Sequence, residues 1–128
     1  MKTDVATGIE ELKRQFANAT LSVAEDGQGG ANVVMEPIVI GDRYQPRETW
    51  FGFHIPAQYP YADIYPVFMG ANVVRKDGVG WNSPVTAGHT FQGRPALQVS
   101  RRNGAAQANM QKASAKILKI LDFLGKLK

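Results

Sequence analysis

The chain contains no cysteine. That excludes a disulfide framework, a thiolate zinc site and, as the sequence stands, any cysteine nucleophile. Histidine is scarce as well. His54 and His89 alone cannot supply a three-histidine metal site, and no H-E-x-x-H motif is present. No apolar run approaches the ~20 residues that a membrane-spanning helix needs. The segment from Met1 to Glu11 is too polar for a signal peptide, so the expected location is cytoplasmic. Gly27, Gly29 and Gly30 do not lead into a helix as a phosphate loop requires, and no nucleotide or other cofactor is expected. What remains is ordinary: 128 residues, 44% hydrophobic and 20% charged, describe one globular domain, 1–128, around a single core.

Charge is unevenly spread. Residues 1–93 hold 7 Lys and Arg against 10 Asp and Glu, whereas residues 94–128 hold 8 against a single acid, Asp122. A mildly acidic body with a basic C-terminal quarter favours an acidic partner. A solvated lysine face on a helix explains the same residues. No aromatic platform is interleaved with Lys112, Lys116 and Lys119, so neither a nucleic-acid nor a membrane partner is expected.

The pattern along the chain is α+β. Thr7 and Glu10 fit a T-x-x-E capping box, and Ile9, Leu12, Phe16 and Ala19 follow at helical spacing. Leu21–Glu25, Asn32–Ile40 and Glu48–Ile55 read as hairpin-linked strands, with Pro37 marking an edge or a bulge in the second. From Pro56 to Pro66, three prolines and three tyrosines exclude a helix and predict a rigid extended loop, with Val67–Met69 as a short strand after it. Gly70–Gly93 is rich in turn formers and reads as a long surface segment anchored by Trp81. Leu97-Gln98-Val99 is a small apolar island. A final helix over about Ala106–Leu127 carries Met110, Ala113, Ile117, Ile120, Leu121 and Leu124 on one face and lysines on the rest.

This order of elements resembles the ubiquitin-conjugating (E2, or UBC) fold. Trp50-Phe51-Gly52-Phe53-His54-Ile55-Pro56 is similar to the family's third strand, and Pro56-Ala57-Gln58-Tyr59-Pro60 to its P-x-x-Y-P continuation. Pro66-Val67-Phe68 is similar to the strand that follows. Gly88-His89 stands where the family has its His-Pro-Asn turn, and Gly93-Arg94-Pro95-Ala96-Leu97-Gln98-Val99 resembles the segment that holds the active cysteine. The likeness is greatest to the short E2-like proteins of bacterial ubiquitin-like conjugation operons. It implies an N-terminal helix, a four-stranded antiparallel meander and a C-terminal helix. The activity implied is that of a carrier, which accepts a ubiquitin-like protein from an E1-like activating enzyme as a thioester and passes it to a target lysine.

The sequence departs from the family at the chemistry. His89-Thr90-Phe91 lacks the asparagine of the family turn, and Ala96 occupies the nucleophile position. A methyl group forms no thioester, so the chain as written is expected to be inactive. Two readings stay open. Ala96 either replaces an active cysteine, which the retained flanking residues favour, or belongs to a naturally non-catalytic module, like the E2 variants that only bind ubiquitin. On the carrier reading Ala96 lies in a shallow surface groove, with His89, Arg101 and Arg102 gathered beside it to tune a thiol and handle protons.

Overall fold

The computed structural model describes residues 1–102 and 110–127. The first helix, α1 (Thr3–Gln15), buries Val5, Ile9 and Leu12 along one stripe. It starts before Thr7, so the expected capping box does not form. Lys2 occupies the N-cap position without a side-chain cap, and its N–H donates to Gly29 O at 2.9 Å. The extra turn brings in Val5, which is fully buried, and that burial outweighs the local capping preference.

Six strands form one antiparallel sheet: β1 (Thr20–Glu25), β2 (Ala31–Val39), β4 (Glu48–Ile55), β5 (Val67–Gly70), β7 (Val85–Phe91) and β8 (Arg94–Val99). Their spatial order is β1-β2-β4-β5-β8-β7. Two short strands, β3 (Tyr44–Gln45) and β6 (Val74–Arg75), pair separately. The β2/β4 ladder slips between Met35 and Ile38, where Pro37 has no N–H to offer.

The meander of β1, β2, β4 and β5 matches the sequence expectation, but the sheet has six strands rather than four. The added pair comes from Gly70–Gly93 and the apolar island, expected as a surface segment and an isolated patch. Gln92 and Gly93 supply the reason. Both have positive φ (49° and 77°), and they join the Phe91↔Arg94 pair in the tight turn that suits the twist of a hairpin. A bulge between Thr86 and His89, with Gly88 at φ 88°, breaks the period-two pattern that would have announced β7.

The second helix, α2, spans Ala113–Lys126. The expected helix began near Ala106. Positions 106–109 of that expectation lie outside the described residues, and Met110 is 70% exposed rather than part of the core. Ala113, Ile117, Ile120 and Leu124 pack with α1 against the sheet residues Met35, Phe51, Phe53 and Met69. Carbonyls of the last turn of α2 would be orphaned, but Tyr44 Oη donates to Leu124 O (2.5 Å), and Arg43 donates to Gly125 O (2.7 Å) and to Leu127 O. Trp81 stacks on Tyr44 at 5.8 Å and donates from Nε1 to Val73 O, pinning the long segment as expected.

The proline-rich loop is braced against the start of α2. Tyr59 is buried, its hydroxyl accepts the Ala113 N–H at 3.0 Å, and Pro60 O accepts the Gln111 N–H at 2.7 Å. Lys116, expected on the solvated face, is instead buried. Its ammonium bridges both Asp63 oxygens (3.1 and 3.2 Å) and donates to Arg101 O. Burial holds the Lys116 ammonium below the usual lysine range, and Asp63 opposes that shift. Among the described residues, no helix is long and apolar enough to cross a membrane.

Because Leu124 is fully buried and Leu118 is 45% exposed on the same helix, their truncations should differ sharply. Leu124→Ala should cost about 2–5 kcal/mol in denaturant unfolding, and Leu118→Ala close to nothing. Equal losses would mean that α2 buries a different face.

Candidate functional site on the open face of the sheet

Both helices cover one face of the sheet. The other face is built from the alternate residues of each strand. Asn32 and Val34 of β2, Trp50, Gly52 and His54 of β4, and Phe68 and Gly70 of β5 lie side by side with Ala96 and Gln98 of β8. Here the tip of the β7–β8 hairpin reaches back across the sheet. Arg94 Nη1 bonds Glu36 of β2 at 3.2 Å, and its guanidinium lies 5.4 Å from the Trp50 ring centroid. The Phe91 ring stacks on Phe68 (5.0 Å) and on Trp50 (6.5 Å), while His89 meets Phe68 edge-on at 6.4 Å.

Gly52 makes this crossing possible. A Cβ at that position would lie 2.5 Å from Phe91 Cδ2, so a side chain there would lift the hairpin tip from the sheet. Val34, Trp50, Phe91 and Ala96 form a second small core, separate from the one under the helices.

Ala96 therefore does not line a surface groove. It is 1% exposed, paired with Gly70 on one side and with His89 on the other, beneath the aromatic cover. Of the three residues expected beside it, only His89 is there, bonded through Nε2 to Thr86 Oγ1 at 3.0 Å. Arg101 and Arg102 lie past the other end of the β5/β8 ladder, beyond the Val67↔Val99 pair. Their guanidinium carbons sit 4.7 Å over the Phe123 ring and 3.9 Å over the Tyr65 ring, fastening the chain after β8 to α2 and to the proline-rich loop.

One polar pair near the open face is not marked by any sequence motif. At the β1–β2 turn, His54 Nε2 donates to Asp26 Oδ2 at 2.7 Å, and Asp26 Oδ1 accepts from the Gln28 N–H (2.7 Å) and the Gly30 N–H (3.0 Å). A Cβ at position 30 would sit 2.6 Å from that carboxylate. The Asp-Gly turn was the available sequence signal, and the Asn32↔His54 register is what brings His54 to it. Among the described residues no hydroxyl is bonded to His54, so the pair ties a turn to a strand and lacks a nucleophile to activate. No cluster of three potential metal-ligating side chains is found among the described residues.

A shallow groove of about 200 Å³ runs on the open face between the β1–β2 ladder and the hairpin tip, bounded by Ser22, Ala24, Asn32, Val34, Gln92 and Arg94. It combines an apolar floor with a cation and amides at its rim, which suits a protein surface better than a reacting group. Comparisons with models of known protein families, with curated proteins and with solved structures find no match to this chain.

The His54 hydrogen bond, reinforced by the Gln28 N–H, holds the Asp26 carboxyl below the usual carboxylate range. A lowered carboxyl pKa stabilises the folded state fully above the unfolded value of 3.8 and loses that contribution as pH falls through the folded value. Asp26→Asn should therefore flatten the acid limb of stability against pH below about 4. An unchanged acid limb would show that the pair carries no linkage.

Proposed function

We propose that this protein is a non-catalytic binding module for a protein partner. The resemblance of its sequence to the E2 family makes a ubiquitin-like protein, or a partner enzyme of such a system, the class to try first. The observation that carries the reading is the burial of Ala96 under Phe91 and Trp50. A carrier must expose its nucleophile to an E1-like enzyme, to an extended tail and to an incoming lysine. A cysteine at this position would be covered by the same rings, and burial in apolar surroundings would raise its pKa and make it inert. The displacement of Arg101 and Arg102 from position 96 removes the cations that would have opposed that effect. The groove beside Arg94 supports binding, since it offers a partner an apolar floor with polar groups on its edge.

The test uses the fact that the chain has no other thiol. Ala96→Cys should react with an aromatic disulfide reagent orders of magnitude more slowly in the folded state than after denaturation, at a rate set by local opening. It should also form no reducible adduct when incubated with ATP, an E1-like enzyme and its ubiquitin-like protein. Fast modification of the folded variant, or a thioester adduct, would overturn the binding-module reading and restore the carrier.

A further inference from the structure

The two edges of the six-stranded sheet are built differently. β7 is interrupted by the Thr86/His89 bulge, and its terminal Phe91 is turned onto the open face. Such irregularity keeps an edge from templating another strand. β1 has no such protection. It pairs with β2 at all six of its positions without a bulge, contains no proline or lysine, and is exposed at every residue except the partly buried Leu21. Its one charged residue, Glu25, is neutralised by the N-terminal ammonium at 2.6 Å.

The direction of the free backbone groups follows from the ladder. Asp26 N–H donates to Gly30 O, so Asp26 and Gly30 are a hydrogen-bonded pair, and bonding alternates from there along β1. Thr20, Ser22 and Ala24 turn their backbone groups to β2. Leu21, Val23 and Glu25 turn theirs outward, and among the described residues nothing accepts from or donates to the outward groups of Leu21 and Val23. The side chains of the same two residues lie on the helix-covered side of the sheet, opposite Met35 and Val33. That cover thins out at the edge, because Val23 is 39% exposed while Val33 and Met35 are fully buried.

We propose that β1 is a self-association edge, where two copies of this chain pair their β1 strands antiparallel about a two-fold axis through Ser22. Edge-to-edge pairing about an axis perpendicular to the sheet keeps like faces together, so residues opposite each other must share a face. The axis must then pass through a residue rather than between two. Centred on Ser22, the register sets Leu21 against Val23 of the second copy and Thr20 against Ala24. Each Leu21–Val23 pair exchanges both of its N–H···O bonds and joins the four under-covered apolar side chains into one strip. No like charges meet. Centred on Val23, the register would set Leu21 against Glu25 and lose that strip. An unrelated extended segment would satisfy the backbone equally, but it would not be matched to this sequence as β1 is matched to itself.

The interface is one strand wide, so the dimer should be concentration-dependent. Sedimentation of the full chain from micromolar to millimolar concentration should show the average mass rising toward twice the monomer. Amide exchange of Leu21 and Val23 should slow in parallel, while that of Ser22 should not change. Val23→Pro removes only an outward N–H, and Val23→Lys places a cation on the strip; each should leave the circular dichroism spectrum intact and abolish the rise. A wild-type chain that stays monomeric at millimolar concentration would overturn the proposal, as would a dimer that both folded variants retain. Concentration-independent exchange at Leu21 and Val23 would overturn it too, even if the variants failed to fold.

Discussion

The Phe91 ring packs directly against the backbone of Gly52, and the arrangement of the open face follows from that contact. β8 pairs with β5 only from Ala96 to Val99, so the hairpin tip projects past the ladder with no strand beside it. Left free, it would expose Phe91 and leave Trp50 and Val34 bare on the sheet. Folding back removes those surfaces from water, and dispersion between closely stacked rings adds to the gain. The fold-back requires backbone with no side chain at the crossing, and it carries Arg94 to Glu36 on the far side. One missing Cβ thus determines which side chains are accessible on this face.

That constraint decides what position 96 can do. A small residue is required where β8 is sandwiched between β5 and β7 beneath a ring cluster, and alanine fills the space without a polar atom to satisfy. The methyl group that looked like a disabled nucleophile has a packing explanation that needs no lost chemistry. The groove that remains open lies toward β1, where side chains are small and the backbone of the last strand faces solvent.

Legibility in the sequence tracked how local each signal was. Glu48–Ile55 was read to its ends because its aromatic and β-branched residues run between the polar loop before Glu48 and Pro56, and Pro37 marked its bulge because the missing N–H is a property of one residue. The non-helical stretch between β4 and β5 was legible because proline stiffness acts within the loop itself. β7 was missed because its bulge falls where the alternation should be, and β8 was seen only as Leu97-Gln98-Val99 because Arg94 and Pro95 are not buried and Ala96 faces the second core rather than the first. The placement of Lys116 depends on Asp63, far away in the chain, and no helical periodicity reports such a partner. For the site, the family resemblance set His89 beside Ala96, and the two are cross-strand neighbours. Sequence proximity failed for Arg101 and Arg102, because an extended strand carries residues away from one another as quickly as a chain allows.

Closure of the hairpin tip over Gly52 in solution is the central feature of this face, and the α-protons of that glycine report it directly. One of them points at the Cδ2–Cε2 side of the Phe91 ring. Proton NMR of the intact chain should place that resonance clearly away from its random-coil position, with nuclear Overhauser contacts to the Phe91 ring and with the displacement abolished by Phe91→Leu. A Gly52 α-proton at its random-coil shift, without contacts to Phe91, would mean that the tip is open, that Ala96 is accessible, and that the sealed-face account is wrong.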